Sequence, residues 1–372
     1  MINEQRVLET FLELVKIDSE SRQERQVVDY IKQMLTDMGF DPIEDQANGR
    51  TEVGAGNIIL TIPGTITTDK KLLFTAHVDT VFPGKGIEPV IREGYVYSAG
   101  NTILGSDDKA GVAAIIELLH VIKEQNLPHG DLQVVLTVGE ESGLLGAKYV
   151  DQSLLQSNMG IALDSGGDVG TVIIQGPMQI SLKATITGKA AHAGVAPEEG
   201  ISAIEIVADA ISSMKLGRVD KETTANIGVI EGGLATNIIP EVVTIKGEAR
   251  SLNKQKLYDQ VEHMKQALEA AASKHSGKVA IVTNEEYPDF AFTADDEETK
   301  LVAKAMENIG VTCNCVSSGG GSDASIFNGY GIKTLNLGIG MEKVHSVDER
   351  IAIEQLHKTA RLLVEIVNVS TL

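Results

Sequence analysis

Apolar positions at the start of the chain recur three and four residues apart. Val7, Phe11, Leu14 and Val15 share one face, as do Val27, Val28, Ile31 and Leu35, which predicts two amphipathic helices, the second stopped by Gly39. The pattern then predicts extended segments at 57–62 and 72–75, a helix over 109–124, a strand over 132–138, a short helix after Gly143 and a strand over 160–163. Strands alternating with helices argue for an α/β layer on a mostly parallel sheet.

Around Gly176-Pro177 the rhythm changes. A strand at 180–187, a helix at 201–214, strands at 226–230 and 242–249, a long helix at 257–274 and a strand at 279–283 follow the order β-α-β-β-α-β, a ferredoxin-like unit. The α/β alternation then resumes with a helix at 297–309, a strand at 311–316, a glycine-rich turn, a helix at 324–328 and a strand at 333–337. A last helix is predicted over 348–369, with Ser346 and Asp348 as candidate caps. The expected architecture is α/β: a catalytic domain with a mixed, mostly parallel sheet and helices on both faces, formed by residues 1–177 and 288–372, and an inserted α+β ferredoxin-like lid at 178–287.

Composition narrows the class. Of 372 residues, 42% are hydrophobic and 23% charged, the range of soluble globular chains. The net charge of −20 disfavours nucleic acid and anionic membrane surfaces as partners. No apolar run reaches the ~18 residues of a membrane span, and the first residues lack a basic-then-apolar signal segment. The two cysteines, Cys313 and Cys315, exclude a disulfide scaffold and a four-cysteine zinc site, and are read as buried free thiols of a cytoplasmic protein.

The chemistry lies at the strand ends. His77-Val78-Asp79 closes an apolar strand, so His77 and Asp79 point the same way, and a carboxylate there can fix the metal-binding tautomer of the imidazole. Ser106-Asp107-Asp108-Lys109-Ala110-Gly111 opens an apolar helix, where aspartates are also ordinary helix-start residues. Glu140-Glu141 follows a buried strand, Asp164 ends another, and His345 precedes the last helix. Each alone has an ordinary reading. Together His77, Asp107, Glu141, Asp164 and His345 make a donor set for two divalent ions sharing one carboxylate, zinc first with Co²⁺ or Mn²⁺ as alternatives. Glu140 is left over beside a ligand, placed to take the proton of a water that the ions make acidic.

This series resembles the metallopeptidase family of peptidase T, aminoacylase, glutamate carboxypeptidase and succinyl-diaminopimelate desuccinylase, over nearly the whole chain. The resemblance implies Asp107 as the bridging ligand, with His77 and Asp164 on one side and Glu141 and His345 on the other. It also implies Asp79 as the group orienting His77, Glu140 as general base and a cis peptide after Asp107. The lid run Gly188-Lys189-Ala190-Ala191-His192-Ala193-Gly194 is similar to a family signature whose histidine, here His192, stabilises the oxyanion, commonly in the partner subunit, which implies a homodimer through the lid. Asn237 and Arg250 match substrate-binding positions, and Gly320 and Gly321 match a substrate loop. Asp at position 164 favours a peptidase T-like aminopeptidase on short peptides, tripeptidase-type, over an N-acyl amino acid deacylase or carboxypeptidase of the same family, or a non-catalytic metal-binding paralogue.

Overall fold

The first two apolar stripes become the buried faces of the helices Glu4–Val15 and Arg25–Asp37 in the computed structural model, which describes residues 1–372. Asn3 accepts from the Arg6 N–H and caps the first helix, and Gly39, with φ of 76°, follows the second. These helices belong to a unit made of Met1–Ile174, Ala291–Ser317 and Ser322–Leu372.

That unit is built on a sheet of 12 strands. Its path runs Ile43–Glu44, Ile58–Ile62, Leu132–Thr137, Leu72–His77, Met159–Gly166, Lys333–Glu342, Arg350–Ala352, Tyr95–Ser98, Pro89–Arg92. The four strands from Leu132–Thr137 to Lys333–Glu342 run parallel, and every residue of Leu72–His77 and Leu132–Thr137 is buried. Continuous apolar runs rather than alternation are what strands covered on both faces require. The helix Ser106–Gln125, buried along nearly its whole length, packs against Leu72–His77 and the helices Glu4–Val15 and Ile353–Ser370. Thr171–Gly176 pairs with Phe290–Ala291, and Phe292 N–H donates to the Ile174 carbonyl at 2.7 Å.

The second unit comprises Gln175–Phe290 and Ser318–Gly321. Its antiparallel sheet runs Gly217–Arg218, Thr223–Gly232, Val242–Ser251, Met178–Thr187, Lys278–Tyr287. Met178–Thr187 alternates buried and partly exposed positions, so Ile180, Leu182, Ala184 and Ile186 pack on Ile206, Leu257, Met264 and Leu268 of the helices Ala203–Ser213 and Lys254–Lys274.

Three expectations need correction. The last helix starts at Ile353, not near 348, with Ala352 as its cap residue rather than Ser346 or Asp348. Residues Arg350–Ala352 are instead a strand pairing with Lys333–Glu342 and Tyr95–Ser98, and Glu349 before it is buried. The cysteines are free but only half-buried, with Sγ atoms 3.9 Å apart; Cys313 precedes, and Cys315 lies on, the short strand Asn314–Ser317, which is paired on one side. The strands Pro89–Arg92, Tyr95–Ser98 and Thr171–Gly176, absent from the expected pattern, extend the sheet.

Candidate active site

The parallel strands deliver their C-terminal ends to one place, the edge of an α/β sheet where ligands bind. His77 is the last residue of its strand, Glu140 and Glu141 follow Leu132–Thr137, Asp164 lies in Met159–Gly166, and His345 follows Lys333–Glu342. Asp107 reaches the same place from the start of Ser106–Gln125, where Asp107 and Asp108 keep non-helical backbone angles and the peptide between them is cis.

Asp107 stands between two donor groups. Its Oδ1 lies 3.0 Å from His77 Nε2, which is 3.9 Å from Asp164 Oδ1. Its Oδ2 lies 3.3 Å from His345 Nε2, which is 2.8 Å from Glu141 Oε1. The donor atoms of His77, Asp107 and Asp164 lie within 4.8 Å of one another, and so do those of Asp107, Glu141 and His345. Glu140 forms a third such group with His77 and Glu141.

Asp79 does more than face the histidine. His77 Nδ1 donates to the Asp79 carbonyl oxygen at 3.0 Å, with the Asp79 carboxylate at 3.5 Å. That bond fixes a proton on Nδ1, so when the ring is neutral the lone pair is on Nε2, the nitrogen that faces Asp107. The Asp79 carboxylate accepts from Glu140 N–H at 3.0 Å, Glu141 N–H at 3.3 Å and Ser21 Oγ at 2.6 Å. One buried aspartate thus fixes the histidine and the adjacent glutamates together.

The electrostatics are those of a site with excess buried negative charge. Burial pushes Glu140 and Asp164 well above the usual carboxylate range, and facing carboxylates add to it, chiefly Asp164 for Glu140 and Asp107 for Asp164. Burial also opposes ionisation of Asp107, but its hydrogen bonds to His345 and His77 prevail and hold it low. Such a cluster is relieved by cations. Nitrogen and oxygen donors in two groups, sharing one carboxylate through opposite oxygens, fit a pair of borderline divalent ions.

Other polar groups that the motifs do not announce hold this arrangement. Asp108 is fully buried and accepts from His77 N–H and Gly111 N–H, both at 3.3 Å. Gly111 is needed there, since a Cβ would lie 2.5 Å from Asp108 Oδ1 and 2.9 Å from Leu163 Cβ. Asn336 accepts from Asp164 N–H at 3.0 Å and donates to its carbonyl at 2.7 Å. Asp323 accepts from Thr137 Oγ1 at 2.5 Å and is pushed up by burial to about 6. The signal for Asp108 was its place beside Asp107; Asn336 gave none.

The remaining expected residues lie in the second unit. His192 is exposed, and its Nδ1 accepts from Gly194 N–H at 3.1 Å, which leaves Nε2–H as an outward donor. Asn237 is an exposed neighbour, its carbonyl accepting from Ala193 N–H at 3.0 Å. Arg250 is already engaged by Glu248, through Nε at 2.9 Å and Nη2 at 3.1 Å. Gly320 N–H donates to Ser318 Oγ at 3.0 Å, and Gly321 lies flat against Tyr287, where a Cβ would come within 2.2 Å of the ring.

The family model described as peptidase family M20/M25/M40 matches residues 73–369. The chain is 48% identical over 367 residues to the uncharacterized protein YqjE of Bacillus subtilis (strain 168), covering 99% of each. Two solved structures are each 46% identical and cover 100% of both chains: a tripeptidase from Staphylococcus aureus subsp. aureus Mu50, with a TM-score of 0.95, and aminopeptidase PepT from Bacillus cereus ATCC 10987, with a TM-score of 0.91. No helix is long and apolar enough to cross a membrane.

Proposed function

From a chain that belongs to peptidase family M20/M25/M40, and is a hydrolase of it, we propose a two-metal, peptidase T-like aminopeptidase that removes N-terminal residues from short peptides, tripeptides first. One observation carries the two-metal reading: the Asp107 oxygens address separate donor groups, Oδ1 with His77 and Asp164, Oδ2 with Glu141 and His345. We assign those residues as the ligands and Zn²⁺ as the ion, with Co²⁺ or Mn²⁺ as substitutes.

When bound, the ions polarise the scissile carbonyl and make a water acidic near neutral pH. The chain's own groups do the rest. Glu140, beside the ligands and with its backbone held by Asp79, takes the proton from that water and returns it to the leaving amine. His192 supplies the N–H that the developing oxyanion needs, through the nitrogen that Gly194 leaves free. Asn237, Gly320 and Gly321 are assigned to substrate positioning, and Arg250 would hold a peptide carboxylate by sharing its guanidinium with Glu248.

The second unit is also the proposed homodimer surface. Support comes from large apolar side chains left in water there, among them Leu234 at 91% exposure and Val195 at 77%. Two free thiols and the absence of a spanning helix fit a cytoplasmic setting.

The test is a kinetic panel of tripeptides, dipeptides and N-acyl amino acids with chelated, then Zn²⁺-, Co²⁺- or Mn²⁺-loaded protein. Tripeptide cleavage that vanishes on chelation and returns with metal is expected. Preference for N-acyl amino acids would replace the aminopeptidase reading with the deacylase one.

A further inference from the structure

Glu349 is a carboxylate with 2% exposure, and the motifs above assign it no role. It lies four residues after His345, and its four hydrogen-bonded partners all come from the segment ending at Asp107. Its Oε2 accepts from Leu104 N–H at 2.8 Å and Gly105 N–H at 2.9 Å. Its Oε1 accepts from Ser106 Oγ at 2.6 Å and Asp107 N–H at 3.1 Å. A carboxylate offers about four lone-pair sites, so this one is saturated.

The segment needs such an acceptor. Gly105 has φ of 74° and Asp107 and Asp108 are non-helical, so the N–H groups of 104, 105 and 107 precede the helical ladder and depend on an outside partner. The carboxylate is costly here: burial opposes its charge and the Asp107 carboxylate nearby repels it. A neutral side chain would avoid that cost but could not accept four bonds. At its other end Glu349 is anchored beside His345. Its N–H donates to the Ser346 carbonyl at 3.1 Å, and Arg350 pairs with Glu342 across the sheet. His345 and Lys343, at φ of 61° and 54°, form the turn between these anchors.

We propose that Glu349 is a positioning residue of the metal centre: it bolts the segment carrying Asp107 to the segment carrying His345, and so sets the 3.3 Å approach of His345 Nε2 to Asp107 Oδ2 on which the Glu141–Asp107–His345 site depends. The inference rests on the two-metal reading above. It predicts unequal damage. In the His77–Asp107–Asp164 group only Asp107 lies on a segment that Glu349 holds, while His77 and Asp164 keep their Asp79 and Asn336 anchors; at the His345 side both Asp107 and His345 lose theirs, so the ion there should suffer first.

The experiment is a Co²⁺ titration of chelated protein, followed by visible absorption and calorimetry, on wild type, E349Q, E349D and S106A. Glu349→Gln keeps size and shape but turns an NH₂ group against two of the four donors. Loss of a buried partner of a ligand segment typically costs about 10–100-fold in metal affinity, and a loss of that size is expected for the ion on the His345 side, with the other constant changed less. Glu349→Asp, which keeps the charge on a shorter stem, should recover part of it. Ser106→Ala removes one donor and should weaken the same ion less. If E349Q fails to fold, S106A carries the test, and unchanged constants there overturn the proposal. Two ions bound by wild type and equally well by E349Q, with only the melting temperature lowered, would overturn it too. Wild type that fails to bind two ions would instead sink the two-metal reading itself.

Discussion

Loading the metal centre should expel protons, and the geometry says from where. In the metal-free protein His345 Nε2 faces Asp107 and then Glu141, which push its pKa up to about 10. Burial works against a charge on His77, but the Asp107 and Asp79 carboxylates outweigh it and hold its pKa well above the ordinary value. Both rings therefore carry an extra proton at neutral pH, whereas an unfolded histidine titrates near ~6.5. A ligating imidazole must be neutral, so binding both ions displaces one proton from each ring, and Asp164, a ligand that burial also pushes up, adds to the release, making at least about two per chain. The product of the two association constants should then rise at least about 100-fold per pH unit just above neutrality, or at least about 2.7 kcal/mol per unit. His345 is half exposed, so solvent screening pulls its end of the window down from 10 without changing the sign. Stability runs the other way. Both folded pKa values lie above the unfolded one, so the imidazolium contacts stabilise the metal-free fold fully below about pH 6.5 and fade as pH climbs through the folded values. The melting gap between loaded and metal-free protein should therefore widen with pH. Calorimetric titration of Mn²⁺ into chelated protein at pH 7.5, in buffers of different ionisation enthalpy, counts the protons. A count of zero, or a melting gap that narrows between pH 6.5 and 9, would refute the reasoning.

Glu140 and Glu141 should separate cleanly. Glu140→Gln is expected to keep both ions and lose about 10²–10⁴-fold in kcat, whereas Glu141→Ala should lose an ion in metal analysis. Normal turnover by the first variant would show that the pair is misassigned. His192→Ala should bind metal as wild type does and lose about 10²–10³-fold in turnover. If His192 serves the partner subunit, mixing it with Glu140→Gln under conditions of subunit exchange should restore activity; an exchanged but inactive mixture rules out action across the dimer.

The donor set was legible because chemistry and topology coincide. His77, Glu141, Asp164 and His345 end or follow apolar runs, and in a parallel sheet those ends converge whatever the sequence separation. The supporting acids were not legible, because their sequence positions resemble helix starts. Asp108 and Asp323 look like first-turn acids favoured by the helix dipole, yet both are buried. Glu349 shows the same confusion at its largest. An acid shortly before an amphipathic run reads as part of a helix, and only the strand Arg350–Ala352 reveals that it turns inward. The engagement of Arg250 by Glu248, two residues away on the same strand face, is a pairing that the motif does not announce.

The pairing of Thr171–Gly176 with Phe290–Ala291 has a consequence for how such a chain diversifies. The backbone leaves the metal-bearing unit and returns to it on hydrogen-bonded strands, with Ile174 and Phe292 in direct contact. The break in that unit is therefore as narrow as a hairpin, although more than a hundred residues pass through it. Loop-closure entropy grows only with the logarithm of what is inserted, and a gap held shut by its own sheet hardly registers the length of the intervening chain. Insertions, deletions or wholesale exchange of the second unit can accumulate without disturbing Asp107 and its neighbours, so the candidate metal centre can stay constant while the residues that the second unit supplies change.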